Sequence, residues 1–213
     1  MCWPMAGGMY NHITINFMKK TFLLAIAIIL SVIICKAQDT LQYKTYHYKD
    51  FNWTIKLPSN FEPVAEQIWQ QKENSGTADL EKSNGTTFVN DSKFVFMFKE
   101  GAENNIIASY NIQDPKRHKS AEYVVQKSLY HEFETMSSKL KLDSSSTKMV
   151  INHLSFDVFV LKIDIPTKGF HDYDYRITRM FGDRNLSISI IFSDDKYGEA
   201  MLNAIKNSTF GNK

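Results

Sequence analysis

Cysteine is almost missing from this chain. The 213 residues include only Cys2 and Cys35, and both precede residue 38. The range 38–213 therefore has no disulfide, and it cannot build a zinc site from thiolates or a Cys-His catalytic pair. A range of that length can bury an adequate core without such cross-links.

The sequence signatures of common catalytic and nucleotide-binding sites are missing as well. There is no Gly-x-Ser-x-Gly nucleophile elbow, no Gly-x-x-x-x-Gly-Lys phosphate loop and no Gly-x-Gly-x-x-Gly fingerprint. Paired carboxylates for hydrolysis stay open, because two such residues can be distant in the chain. These absences favour a protein that is not an enzyme and has no cofactor.

An excess of basic charge is absent from the range 38–213. The whole chain has a net charge of +2, but Lys19, Lys20 and Lys36 precede residue 38 and no acidic residue does. Of the 25 Lys and Arg, 22 remain against 23 Asp and Glu, which gives a net charge of −1. A nucleic-acid partner is therefore not indicated.

An apolar segment near the start predicts export. The uncharged run 21–35 follows two lysines and precedes Ala37, which is the order of a secretory signal peptide over 18–37. The run is shorter than the roughly 20 apolar residues that span a bilayer, so an uncleaved anchor is the weaker alternative. We expect a periplasmic or secreted protein that is not an integral membrane protein after cleavage. Residues 1–17 show no periodicity and indicate a start codon assigned too far upstream.

A lipid anchor at Cys35 is a competing interpretation, because a thiol at the end of an apolar run can be acylated. The preceding Ile34 is larger than the small residue that such an acylation signal requires. Cleavage after Ala37 or Gln38 is therefore preferred.

The range 38–213 contains no repeat, low-complexity tract or long linker and is expected to be one domain. Alternating patterns predict strands over 51–57, 93–99, 105–113, 147–151, 154–165, 173–180 and 186–192. The apolar face of the first strand is formed by Phe51, Trp53, Ile55 and Leu57. Turn-forming residues predict hairpin turns at 100–104 and 181–185, a mobile surface loop over 72–90 and a turn at 143–146. The range 154–165 has apolar residues on both faces, which predicts a central strand that is covered on each side.

Two amphipathic helices are predicted. Ser120 precedes a helix over 121–140, whose apolar stripe is formed by Val125, Leu129, Phe133, Met136 and Leu140. Asp194 or Asp195 caps a final helix, whose stripe is formed by Tyr197, Met201, Ala204 and Ile205. This order of elements predicts an α+β domain, an α/β/α sandwich in which helices cover a central antiparallel sheet.

This layout resembles the PsbP-like superfamily. The resemblance rests on the aromatic strand that runs into Leu57-Pro58-Ser59, on the amphipathic helix after a hairpin, and on the closing strand pair and helix ending at 205–210. It covers most of residues 43–211, and it implies an α/β/α sandwich with a non-catalytic accessory or binding role. The superfamily has no functional motif that could be carried over to particular residues.

The densest group of polar residues is at 171–176. On a strand, one face presents His171, Tyr173 and Tyr175, and the other presents Asp172, Asp174 and Arg176. Two carboxylates two residues apart can hold a hard divalent cation, and His171 can add a nitrogen ligand. The alternative, which we prefer, is a solvated strand edge in which Arg176 neutralises the acids.

Tyrosine recurs in two places, and a candidate partner patch is formed by Tyr43, Tyr46, Tyr48, Tyr173 and Tyr175. Exposed together, these rings would suit a protein partner or an envelope glycan. The alternative, which we favour, is that alternating tyrosines cover a sheet face beneath a helix.

These observations support three hypotheses of function. The preferred one is a non-catalytic exported domain that docks on or stabilises another envelope component. The second is a metal-binding protein or metal-dependent hydrolase that uses Asp172, Asp174 and His171. The third is a small-ligand or lipid carrier with a cavity between the sheet and the helix over 121–140.

Overall fold

The structure, a computed structural model, describes residues 42–84, 91–116, 126–127, 130–131, 140–166 and 170–211. The signal peptide predicted over 18–37 lies outside these residues, as do residues 1–17 and most of the helix predicted over 121–140. Residues 126–127 and 130–131 of that helix are helical. The described residues belong to one compact unit, Gln42–Lys213.

Strands dominate the described residues. They are β1 (Tyr43–Tyr48), β2 (Trp53–Pro58), β3 (Glu62–Pro63), β4 (Lys93–Glu100), β5 (Asn104–Ile112), β6 (Lys141–Ile151), β7 (Leu154–Ile165), β8 (Phe170–Phe181), β9 (Arg184–Phe192) and β10 (Thr209–Phe210). The helices with described bounds are α1 (Glu66–Asn84) and α2 (Asp195–Lys206). A single 3₁₀ turn, Lys49–Phe51, joins β1 to β2.

The strands form two antiparallel sheets. One has seven strands in the order β3-β4-β5-β9-β8-β7-β6, and the other has three in the order β1-β2-β10. Consecutive strands from β6 to β9 are separated by two to four residues of sequence, which is why they lie side by side in the larger sheet. The antiparallel sheets, together with helices α1 and α2, confirm the α+β class predicted from the sequence.

The main core lies between the two sheets and α2. The predicted apolar face of β2 is buried, with Trp53, Ile55 and Leu57 at 0% exposure. It packs with Ile188 and Ile190 of β9, and α2 adds its own buried stripe. That stripe contains Met201, Ala204 and Ile205, as the helical spacing predicted.

Apolar residues on both faces of β7 predicted a strand covered on each side, and the structure confirms this. One face adds Phe156 and Val158 to the main core. The other forms a second cluster of Phe159, Leu161 and Ile163, on which Tyr130, Leu140 and Leu142 pack. The second cluster places apolar residues on the face of the large sheet that is turned away from the main core.

The loop predicted over 72–90 is wrong for residues 72–84, which belong to α1. The segment is too polar to show a helical stripe, and its hydroxyl groups bond within the helix instead. Ser75 Oγ donates to the carbonyl oxygen of Gln71 at 2.9 Å, and Thr77 Oγ1 donates to that of Glu73 at 2.9 Å. Near its start α1 is held by Trp69, which is 3% exposed. Residues 85–90 lie outside the described residues.

The turn predicted at 143–146 is also wrong. These residues lie in β6, which pairs with β7 without interruption from Lys141 to Ile151. Serine favours turns only weakly, and a complete ladder of backbone hydrogen bonds outweighs that preference. The hairpins predicted at 100–104 and 181–185 are confirmed, and Gly101 (φ 64°) and Gly182 (φ 67°) supply their left-handed residues.

Phe210 and Gly211 form hydrogen bonds with two turns that are distant in sequence. Gly211 N donates to the carbonyl oxygen of Asn52 at 2.8 Å. Asn152 Nδ2 donates to the carbonyl oxygen of Phe210 at 2.6 Å, which links the β6–β7 turn to β10. In the ranges that the structure describes, no helix is both long and apolar enough to cross a membrane.

Candidate functional site

The polar segment 171–176 lies within β8, between β7 and β9, so its side chains alternate between two covered faces. His171, Tyr173 and Tyr175 lie on the face of the main core. Asp172, Asp174 and Arg176 lie on the face of the second cluster. The sequence predicted this division correctly. The preferred interpretation was a solvated strand edge, but β8 is an interior strand and its Asp174 is buried.

The aromatic side of β8 is built on Phe192, which is 4% exposed. The ring centroid of Phe192 lies 5.0 Å from that of Tyr173 and 5.8 Å from that of Tyr175, and both pairs are stacked. The His171 ring meets Tyr173 edge-on at 5.3 Å. We call His171, Tyr173, Tyr175 and Phe192 the aromatic platform.

Helix α2 begins at the edge of the aromatic platform. Asp194 caps it by accepting a hydrogen bond from Lys196 N at 2.8 Å. The next residue, Asp195, lies with its Oδ1 3.4 Å from His171 Nε2, and the two side chains are 72% and 38% exposed. This pair crosses 24 residues of sequence, so no local pattern could predict it.

The electrostatics of the aromatic platform follow from its partial burial. Burial raises the pKa of Tyr175, and the neighbouring Tyr173 and Asp195 add to the rise. On the same side of the sheet, Lys162 Nζ lies 5.9 Å from the centre of the Tyr173 ring, within range of a cation-π interaction. The platform therefore combines half-buried rings with charges of both signs at its rim.

The acidic side of β8 is different, because Asp174 is only 7% exposed. It is paired in register with Leu161 of β7 and Ile191 of β9, and its Oδ1 has no hydrogen-bond partner among the described residues. Burial raises the pKa of Asp174, and the positive charge of Arg176 opposes that rise. A buried carboxylate oxygen without a hydrogen-bond partner destabilises the folded state, so folded proteins usually provide a partner for it.

The second acid, Asp172, is less buried. The pKa of Asp172 is raised mainly by burial and further by the negative charge of Glu103, whereas His171 opposes the rise. Asp172 is therefore close to Glu103 of the β4–β5 turn, whose Oε2 accepts a hydrogen bond from Ser193 Oγ at 2.9 Å. Among the described residues, no three His, Asp, Glu or Cys side chains are close enough together to hold a metal ion. His171 pairs with Asp195 on the other face of the strand, and a metal site at Asp172, Asp174 and His171 stays a prediction.

The five tyrosines of the candidate partner patch occupy different surroundings. Tyr46 and Tyr48 are half-buried on β4, with ring centroids 4.6 Å from Phe98 and 4.7 Å from Phe96. Tyr43, on the opposite face of β1, is 53% exposed. Tyr173 and Tyr175 contact each other and Phe192, with 6.3 Å between their centroids. The ring contacts thus place Tyr46 and Tyr48 on β4 and Tyr173 and Tyr175 in the aromatic platform, and Tyr43 belongs to neither group.

A surface pocket that the sequence did not reveal lies where β1 and β2 meet the end of α2. It has a volume of about 250 Å³ and is lined by Tyr43, Lys56, Asn203, Ala204 and Asn207. Its members are far apart in sequence and belong to no motif, so only the folded chain could identify them. The cavity expected beside the helix over 121–140 lies outside the described residues.

Comparisons with known proteins leave the family open. No protein-family model matches the chain, and no curated protein sequence matches it. Among solved structures, the solution structure of cyanobacterial PsbP (CyanoP) from Synechocystis sp. PCC 6803 is similar at a TM-score of 0.49 and 6% sequence identity. That likeness covers 82% of this chain and 96% of the cyanobacterial one, and at this level it says nothing of function.

Proposed function

We propose that this protein is a non-catalytic accessory domain, exported by the signal over 18–37, that docks on another component of the cell envelope. The observation that supports the proposal is the aromatic platform. Tyr173 and Tyr175 are held in place by stacking on the buried Phe192, so they lose little conformational freedom when a partner covers them. Aromatic side chains at the centre and charges at the rim are typical of protein interfaces.

The charged residues at the rim of the aromatic platform would orient a bound partner. His171 and Asp195 are both exposed enough to exchange their mutual contact for one with a partner. Such exposed charges contribute little to affinity, but they orient the partner and speed its approach. A partner with its own polar rim around an apolar centre would fit this surface.

We further propose that the fold is a PsbP-like α/β/α sandwich. Two features support it besides the order of elements. The large sheet has apolar side chains on both faces, and α2 packs on the main core while Tyr130 and Leu140 pack on the second cluster. An accessory role is what the resemblance to that superfamily implies.

The proposed docking is tested by recovery of a partner from the native host. Tagged protein is cross-linked in the intact envelope and purified, in parallel with the double variant Tyr173→Ala/Tyr175→Ala and the control Ile68→Ala. Ile68 is an apolar residue of α1 that is 48% exposed. We expect one reproducible partner that the control retains and the double variant loses. If wild-type protein yields no reproducible partner, or if the correctly folded double variant still retains it, the proposal fails.

A second candidate function is the binding of a divalent cation or another small ligand. If the protein binds a cation, it could act as a metal-dependent hydrolase. The specific observation is the unpartnered Oδ1 of Asp174, two residues from Asp172. Calorimetric titration with calcium, manganese and zinc tests it, with Asp174→Asn as the control. Absence of binding heat together with an unchanged melting temperature would remove the cation hypothesis.

A further inference from the structure

In the described strand order, β6 is an edge strand of the seven-stranded sheet. It is 11 residues long and pairs with β7 alone, without a bulge. The central residues 143–148 are exposed on both faces of the strand. Among the described strands, none pairs with the other side of the β6 backbone.

Exposed edges normally have features that prevent such pairing, including short length, proline, bulges and unpaired charges. The other end of the sheet shows two of them, since β3 has two residues and includes Pro63. β6 has no proline and no bulge, and its centre is the small hydroxyl run Ser144-Ser145-Ser146-Thr147. Its Lys148 is paired with Asp157 of β7, which neutralises the charge that would otherwise repel a neighbour.

The β6–β7 turn determines which backbone groups of β6 point outward. Asn152 (φ 47°) and His153 (φ 65°) are both left-handed, as in a two-residue hairpin turn, so the flanking pair Ile151 and Leu154 is hydrogen-bonded. Hydrogen-bonded and non-bonded pairs then alternate along the ladder. The residues whose N–H and C=O groups point away from β7 are Leu142, Ser144, Ser146, Lys148 and Val150.

We propose that β6 pairs with β6 of a second copy of this chain, antiparallel, about a two-fold axis at Ser146. In that register Leu142 lies opposite Val150 of the other copy, on the same face, and Ser144 lies opposite Lys148. Val150 is the most exposed large apolar residue described, at 67%. Leu142 already packs on the second cluster, so pairing would extend that cluster over Val150 of the second copy.

Other registers fit less well. With the axis at Ser145, Leu142 would face Lys148, and with the axis at Ser144, Val150 would have no opposite residue. The axis at Ser146 also lets all five outward-pointing residues exchange both backbone hydrogen bonds with the second copy. This pairing would join two seven-stranded sheets into one continuous sheet, and it is independent of the docking proposed for the aromatic platform.

The test uses protein purified from its native host. Sedimentation velocity over a concentration series is expected to show a monomer that converts to a dimer. Ser146→Pro removes an outward N–H without breaking the ladder to β7, as proline at a strand edge does. We expect this variant to lose the dimer, and to keep the wild-type melting temperature when both are measured at a concentration at which the wild type is monomeric.

A cysteine scan tests the register. Ser146→Cys brings two thiols together across the axis, whereas Ser155→Cys places one on the exposed face of β7, away from the axis. The range 38–213 has no other thiol. Mild oxidation should give about tenfold more disulfide-linked dimer for Ser146→Cys than for Ser155→Cys. Equal amounts for the two variants, a monomer at every concentration, or a β6-dependent adduct with a different protein would each overturn the proposal.

Discussion

Gly198 lies in the first half of α2, directly against the aromatic platform. Glycine weakens a helix by about 1 kcal/mol relative to alanine, so Gly198→Ala should stabilise the protein if propensity alone mattered. A Cβ built on Gly198 would lie 2.5 Å from Cζ of Phe192, and closer still to two other atoms of the ring. Phe192 is stacked on Tyr173 and Tyr175, so the ring has little room to move away.

The clash decides the sign of this prediction. Overpacking a core typically costs about 1–3 kcal/mol, more than the roughly 1 kcal/mol gained in helix propensity. We therefore expect Gly198→Ala to lower the free energy of unfolding by up to about 2 kcal/mol. The melting temperature should fall by about 2–4 °C for each kcal/mol lost. Urea unfolding followed by circular dichroism measures the change.

Gly76 in α1 is the matched control, because no atom lies within 4 Å of a Cβ built there. Gly76→Ala should stabilise the protein by up to about 1 kcal/mol. In a Phe192→Leu background the cost of Gly198→Ala should shrink, since the ring edge is gone. If Gly198→Ala stabilises the protein as much as Gly76→Ala does, the packing described for the aromatic platform is incorrect.

Three other substitutions test separate parts of the account. Asp174→Asn should raise the free energy of unfolding at pH 7 by about 1–2 kcal/mol, because an unpartnered buried carboxylate is removed, while loss of the attraction to Arg176 offsets part of the gain. His153→Gly should stabilise the β6–β7 turn by about 1 kcal/mol, since glycine adopts the left-handed conformation at no steric cost. Leu161→Ala should cost about 2–5 kcal/mol, because Leu161 is fully buried in the second cluster.

The prediction for Asp174 has a definite pH dependence. Its pKa is raised in the folded state, so the folded protein binds the proton more tightly than the unfolded chain does. This contribution to stability is present below the ordinary carboxyl pKa of 3.8, and it is lost as pH rises through the raised value. Asp174→Asn should therefore flatten the stability profile above pH 3.8, and an unchanged profile would contradict the burial described. A lower melting temperature for His153→Gly, or a higher one for Leu161→Ala, would contradict those two predictions.

Much of the fold could be predicted from the sequence because strands with one buried face show a simple alternation. The buried face of β2 and the hairpin between β8 and β9 are examples. The helix α1 was not predicted because most of its residues are polar, and among its described side chains Trp69 is the buried one. The serines of β6 indicated a turn because the ladder to β7, which holds them in a strand, is a non-local contact.

The candidate site was predictable only in part, for the same reason. Alternation along β8 separated Tyr173 and Tyr175 from Asp172 and Asp174 correctly. What covers each face depends on distant residues, such as Phe192 beneath the tyrosines and Asp195 beside His171. The burial of Asp174 depends on the surroundings of an interior strand, which a short polar run does not reveal.

The central claim, that the aromatic platform contacts an envelope partner, is tested most directly by photo-crosslinking in living cells of the native host. A photoreactive phenylalanine analogue replaces Tyr175 in one strain and Tyr43, on the outer face of β1, in another. The account predicts a single adduct from position 175 and none from position 43. Adducts from position 43 alone, or from neither position, would contradict it.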